Sequence, residues 1–226
     1  MLINDIYKFF LSTDSVSIDS RKIVDNSLFI SLKGDRFNGN KFAKSAIENG
    51  ARYAIIDDEK YKIDERFILV EDCLETLQKL ANFHRRKINT KIIAITGSNG
   101  KTTTKELLYN VFKSKYNTTC TIGNLNNHIG VPLSLLNIKI DTEIAIIEMG
   151  ASSLGEIELL CDIAEPNYGY ITNFGKAHID GFGSELKVVE GKSELYKYLK
   201  NNDGTIFFNL DDNKQKNLLE NYYKKF

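Results

Sequence analysis

The chain alternates short apolar runs with longer stretches of helical periodicity. Ser27–Leu32 (SLFISL), Ala51–Ile56 (ARYAII) and Arg66–Val70 (RFILV) are dense in branched and aromatic residues and predict strands. Between the first two, a helix is expected from about Lys41 to Asn49, closed by Gly50, the residue type favoured just past a helix end. A second helix opens at Asp72, which can cap it, and Glu75 completes a capping box. Leu74, Leu77, Leu80 and Ala81 recur on one face of that helix. It ends in His84-Arg85-Arg86-Lys87, cations at the terminus the helix dipole favours, read as a solvated end and not a binding patch. Further strands are predicted at Lys91–Ile95, Glu143–Glu148, Tyr168–Thr172 and Thr205–Asn209, with helices near 101–113, 154–161 and 186–199. Alternating strands and helices predict α/β architecture, and near-continuous apolar strands predict a parallel sheet covered on both faces. A boundary near Asn89-Thr90 gives a small N-terminal α/β domain, residues 1–89, and a mostly parallel sheet domain, residues 90–226. Asn213–Phe226 reads as one amphipathic helix with no closing strand after it. The second domain is therefore expected to be incomplete, with an unpaired edge strand.

Composition narrows the class. Thirty Lys+Arg balance thirty Asp+Glu among 226 residues, which argues against a general nucleic-acid or membrane-surface binder. Hydrophobic residues at 42% suffice for a packed core, and no apolar run is long enough to span a membrane. The N-terminus, MLINDIYKFF, lacks the features of a signal peptide. Cys73, Cys120 and Cys161 form no close pair and no metal-ligand spacing, which fits a reducing cytoplasm.

Four segments carry candidate chemistry. The first is Ile95-Thr96-Gly97-Ser98-Asn99-Gly100-Lys101-Thr102-Thr103, between an apolar strand and a helix, the context a phosphate loop requires. Glycines let backbone N–H groups approach phosphate oxygens, and the helix N-terminus adds partial positive charge. Lys101 would neutralise β/γ-phosphate charge, and the Thr102 hydroxyl would ligate Mg²⁺. The loop is shorter than that of common P-loop NTPases: the first glycine of the longer motif would fall at Ile95. The second segment places Glu148 at the carboxyl end of a strand, where open α/β sheets bind ligands; a metal-holding acid and a capping or loop acid remain alternatives. The third, Thr172 to His178, follows another strand and offers His178 as a ligand or a surface residue. The fourth, Gly123-Asn124-Leu125-Asn126-Asn127-His128-Ile129-Gly130, either orients a polar substrate or is a plain turn. Lys192, with Glu194 two positions on, reads from composition alone as solvated.

TGSNGKTTTKE, GNLNNHIGVPLSLL, EMGASSLGEIELL, NFGKAHIDGFGS and GKSELY, in that order, resemble the Mur ligase family. The short phosphate loop is that family's own variant. Ile18-Asp19-Ser20-Arg21 and Leu28 to Phe37 resemble the family's UDP-substrate-binding domain, although the family's Asp-Gly-His is replaced by Asn38-Gly39-Asn40. The resemblance implies an ATP- and Mg²⁺-dependent amide ligase of peptidoglycan precursor synthesis, cytoplasmic and monomeric. Within the family, EMGAS and GNLNNHIGVPL favour the member that joins D-Ala-D-Ala to UDP-MurNAc-tripeptide through an acyl phosphate. By the same resemblance Gly97, Ser98, Asn99, Gly100, Lys101, Thr102 and Thr103 bind ATP. Thr102, Glu148, His178 and a carbamylated Lys192 hold metal, and Lys101, Glu148, His178 and Lys192 are catalytic. Ser20 and Arg21 lie near the uridine, while Asn124, Asn126 and Asn127 face substrate. The chain would supply the first domain and half of the second, lack the third, and be inactive alone. Another amino-acid ligase of the superfamily and a non-catalytic binding fragment are the alternatives.

Overall fold

The computed structural model describes residues 2–175 and 179–226 and separates into two compact units, Met1–Lys87 and Ile88–Phe226. In the first, α1 (Ile3–Leu11) leads to β1 (Ser15–Ser17), β2 (Ser27–Ile30) and a hairpin of β3 (Lys33–Gly34) and β4 (Phe37–Asn38). A 3-10 turn at Gly39–Phe42 enters α2 (Ala43–Glu48), followed by β5 (Ala51–Ile56), β6 (Phe67–Leu69) and α3 (Cys73–Lys87). The sheet is parallel throughout, in the order β1-β2-β5-β6. Small residues let α2 sit close to it: Ala43, Ala46 and Ile47 pack against Phe29, Ala54, Ile56 and Phe67.

Several local expectations change. Two elements, α1 and β1, stand where none is expected; α1 does carry a helical period, with Ile6 and Phe10 four apart on its buried face. Asp72 does cap α3, accepting the Glu75 N–H at 2.7 Å, but the Glu75 side chain pairs with Lys79 at 2.6 Å. On α3, Leu74 is only half-buried, and Cys73, Thr76, Leu77, Leu80 and Ala81 form the inner face. His84 is buried and not solvated: Tyr7 Oη lies 3.1 Å from its Nδ1, and the Phe10 ring packs edge-on against its imidazole. Aromatic residues on α1 thus convert a nominally polar helix end into core.

In the second unit, β7 (Lys91–Thr96), α4 (Lys101–Phe112), β8 (Thr118–Cys120), α5 (Gly130–Leu136) and β9 (Ile144–Glu148) come first. Then follow α6 (Glu156–Ala164), β10 (Tyr168–Ile171), α7 (Ile179–Phe182), α8 (Glu185–Asn201), β11 (Thr205–Phe207) and α9 (Asn213–Leu218). All five strands are parallel, in the order β11-β10-β7-β9-β8. After β7 the chain turns towards β8, and after β10 it turns towards β11, so the strand order reverses between β7 and β10. An open α/β sheet binds ligands at the carboxyl end of such a reversal. Ile93, Ile95 and Ile146 pack beneath α4, while Ala94, Ala145 and Ile147 alternate onto the other face.

The chain end differs from the single helix expected. The α9 helix stops at Leu218, and residues 224–226 run beside β11: Ile206 N–H donates to Lys224 O, and Phe226 N–H to Ile206 O, both at 2.9 Å. The edge is therefore partly paired. Gln215, fully buried, fixes the turn. Its Nε2 donates to Ile171 O at 3.1 Å, and its Oε1 accepts from Tyr196 Oη at 2.8 Å. Gln215→Leu would leave buried donors and acceptors unpaired and is expected to cost about 2–4 kcal/mol. Urea unfolding followed by tyrosine fluorescence checks this.

Candidate active site

The loop from β7 to α4 is shaped by two glycines. Gly97 has φ +140° and Gly100 φ +78°, and a Cβ on Gly97 would stand 1.9 Å from Thr172 Oγ1. No side chain fits there. The segment after β10 splints the loop: Ser98 N–H donates to Asn173 O at 3.0 Å, Thr172 Oγ1 donates to Asn99 O at 2.6 Å, and Ser98 Oγ donates to Gly175 O at 2.9 Å. The two ends of the strand reversal are thereby locked together. Lys101, the first residue of α4, lies over the loop with Nζ 2.8 Å from Gly97 O. Burial lowers its pKa, and the nearby Glu148 charge opposes that shift.

Two candidate residues, Thr102 and Asn126, converge on a third, Glu148, whose side chain closes β9 and is 2% exposed. Thr102 Oγ1 donates to its Oε2 at 2.9 Å, and Asn126 Nδ2 to its Oε1 at 2.8 Å. Its backbone N–H donates to Thr121 Oγ1 at 2.9 Å. Gly150 N–H in turn donates to Asn126 O at 2.7 Å. A hydroxyl and a carboxylate beside a phosphate loop are hard oxygen donors that suit Mg²⁺, which takes one or two carboxylates together with phosphate oxygens. Among the described residues no three His, Cys, Asp or Glu side chains gather into a metal cluster.

Lys192 overturns its composition reading. It is 1% exposed on α8, with Nζ 5.5 Å from the centre of the Phe182 ring. Burial, then repulsion from Lys101, lowers its pKa to about 8, against the attraction of Glu156. Two carboxylates pin the loop that follows Glu148 beside it. Glu156 accepts from Ser152 N–H at 2.6 Å, and Glu194 accepts from Gly155 N–H at 2.6 Å and Glu158 N–H at 2.9 Å.

The other candidates separate. Asn127 Oδ1 accepts from the N–H groups of Ile129 and Gly130, at 3.1 and 2.9 Å, and so shapes the entry to α5. Asn124 is exposed at the loop tip. Thr103 lies in the first turn of α4 with its side chain exposed. His178 lies outside the described residues. In the first unit, Ser20 and Arg21 line a cavity of about 710 Å³ with Asp19, Phe37, Phe42 and Asn49. The Phe37 and Phe42 rings stack, 5.4 Å apart and 10° from parallel, and both are exposed. The Arg21 guanidinium grips Asp19 through two bonds of 2.9 and 3.0 Å and holds its carboxyl down at about 2. Thr121 and the contacts of Asn173 with the loop carry no local signal, since each gains meaning only from a neighbour distant in the chain; the Phe37–Phe42 stack is closer in sequence but depends on the hairpin and 3-10 turn between them.

Parallel strands reversing at a short phosphate loop, with a buried acid on the adjoining strand, define a nucleotide-binding domain of the P-loop type. The chain belongs to the Mur ligase family. Residues 13–85 match the Mur ligase family catalytic domain, and residues 95–226 match the Mur ligase middle domain. It is 41% identical over 210 residues to the UDP-N-acetylmuramoyl-tripeptide–D-alanyl-D-alanine ligase of Bacillus subtilis (strain 168), covering 92% of this chain and 45% of the relative. It is 36% identical over 203 residues to the Escherichia coli (strain K12) ligase of the same name, covering 90% of this chain and 44% of that one. The chain thus spans just under half the length of these relatives. Among solved structures, the MurF ligase of Thermotoga maritima in complex with ADP superposes with a TM-score of 0.84 at 35% identity, over 96% of this chain and 50% of that one. MurF from Acinetobacter baumannii gives 0.83 at 30% identity, over 96% and 50%. No described helix is long and apolar enough to cross a membrane.

Gly97→Ala is expected to lower the stability of the second unit by about 2–4 kcal/mol, because the backbone strain and the Thr172 clash act together. The shift of its urea midpoint relative to that of the first unit measures this.

Proposed function

We propose that this chain forms the UDP-substrate- and ATP-binding portion of a cytoplasmic ligase that joins D-Ala-D-Ala to UDP-MurNAc-tripeptide. The observation that carries the reading is the meeting of Thr102, Asn126 and Glu148 beside the phosphate loop. The names of the relatives and the ADP complex of one neighbour support it.

A carboxylate is a poor acyl donor, so phosphorylation by ATP must precede attack by the D-Ala-D-Ala amine. Both steps build negative charge that fixed positive groups stabilise. In this reading the N–H groups of Gly97 and of Gly100 to Thr103 donate to phosphate oxygens, Ser98 and Asn99 hold the loop's shape through their bonds to Asn173, and Lys101 turns from Gly97 O towards the β/γ-phosphates. Thr102 would bind one Mg²⁺, and Glu148 and, by family resemblance, His178 would help hold metal. Mg²⁺, when bound, spreads the charge of the transferring phosphoryl group. Asn126 fixes the Glu148 carboxylate, Asn127 fixes α5, and Asn124 reaches substrate. Ser20 and Arg21, with Phe37 and Phe42, receive the uridine end. Lys192 suits carbamylation because only an unprotonated amine adds CO₂, and a pKa near 8 leaves a useful neutral fraction at physiological pH.

The test is a chimera in which this chain replaces the matching segment of the Bacillus subtilis relative. Phosphate release is expected to require both UDP-MurNAc-tripeptide and D-Ala-D-Ala, and Lys101→Ala is expected to reduce it at least ~100-fold. Release with a single free amino acid but not with D-Ala-D-Ala would overturn the assignment. For Lys192, ¹³C NMR of the chain in labelled bicarbonate is expected to show a carbamate signal that is missing from Lys192→Arg. The amine's neutral fraction rises with pH through about 8, so the signal should strengthen from pH 7 towards 8.5. An identical spectrum from the variant would remove Lys192 from the site.

A further inference from the structure

We propose that Lys105 is a positioning residue that sets Glu148 for metal by anchoring the 121–126 loop to the helix bearing Thr102. The inference rests on the reading of Thr102 and Glu148 as metal-holding residues. Lys105 is 1% exposed, an unusual place for a cation. Its Nζ donates to Thr121 O at 2.7 Å and lies 3.0 Å from Glu106 Oε1, a carboxylate whose side chain is half-exposed. These contacts offset desolvation, yet an apolar side chain would fill the same space without that cost.

The bonds around Lys105 form a closed ring. Thr102 Oγ1 donates to Glu148 Oε2, Glu148 N–H donates to Thr121 Oγ1, Thr121 O accepts from Lys105 Nζ, and one turn of α4 joins Lys105 back to Thr102. Thr121 also starts the loop that delivers Asn126 Nδ2 to the other oxygen of Glu148. Both carboxylate oxygens are therefore set from α4, one directly through Thr102 and one through the Lys105 anchor. The phosphate loop itself, Gly97 to Gly100, stands outside the ring. Loss of Lys105 should accordingly damage metal-dependent binding and spare metal-independent nucleotide binding.

The test measures ADP binding to the whole chain by calorimetry, with and without Mg²⁺. In Lys105→Met the Mg²⁺ enhancement of affinity is expected to fall about tenfold, the usual effect of removing an outer support of a metal ligand, with Mg²⁺-free affinity unchanged. Lys105→Arg, which keeps a cation and a donor, is expected to retain the enhancement; if the methionine variant does not fold, Lys105→Gln, too short to reach Thr121 O, takes its place with the same expected fall and the same overturning result. Ile157→Val, a packing change in α6, controls for stability and should leave both affinities unchanged. Retained enhancement in Lys105→Met, an equal fall with and without Mg²⁺, or the same fall in Ile157→Val overturns the proposal. If the wild-type chain shows no Mg²⁺ enhancement, the metal reading itself fails, and amide exchange of the ligand-free chain decides the anchor. Faster exchange at Glu148 and Gly150 in Lys105→Met, with β7 unchanged, upholds it, and unchanged exchange at both overturns it.

Discussion

A carboxyl group withdrawn from water must find other donors, and that requirement at Glu148 organises the second unit. Its side chain is 2% exposed, so water cannot serve both oxygens. Thr102 reaches one from α4, and Asn126 reaches the other from the loop after β8. Each donor sits on a different connection, so all of them are in place only when the parallel sheet has closed in its native order. The same geometry that satisfies the acid leaves it beside the glycine loop, where the proposed metal-holding role of Thr102 and Glu148 would draw on the same bonds.

The strand order explains why the loop is both tight and rigid. Connections leaving β7 and β10 run in opposite directions and open a crevice between them. A short loop can turn there only if its backbone passes close to the neighbouring segment, and Gly97 does so against Thr172. The splint of Thr172, Asn173 and Gly175 then fixes the loop's carbonyls and N–H groups in place. Preorganised donors of this kind lose little on reorganisation, which is the physical advantage of a loop held from outside itself.

The sequence made some features legible and hid others for identifiable reasons. The long apolar strands, α3, α8 and the phosphate loop announce themselves because their signals are local: period, cap residues and glycine spacing. The short strands β1 and β8 carry too few residues for a period to emerge, whereas α1 carries one, with Ile6 and Phe10 four apart on its buried face. The tail from Asn213 mimics an amphipathic helix, yet Gln215 is drawn into the core by Ile171 and Tyr196, and the last residues pair with β11. Lys192 and Lys105 look solvated in composition, and only tertiary packing shows that both are buried. In each case the missing information lay in a partner far along the chain.

The first unit shows how a departure from a family pattern can be absorbed. Where the resemblance leads one to expect Asp-Gly-His, the chain has Asn38-Gly39-Asn40. Asn40 is 1% exposed, and its amide meets one partner twice: Nδ2 donates to Asp57 Oδ1 at 2.7 Å, and Oδ1 accepts from Asp57 N–H at 3.0 Å. Lys33 pairs with the same carboxylate at 2.8 Å. Burial pushes the Asp57 carboxyl up, but the bonds from Lys33 and Asn40 outweigh it and hold the group below its ordinary range. A side-chain amide carries N–H donors and a carbonyl acceptor side by side, so it can bridge the backbone and side chain of a single residue, and the remaining donation from Nδ2 goes to Asn38 Oδ1 at 2.9 Å. The hairpin that presents Phe37 is thereby tied to the end of β5.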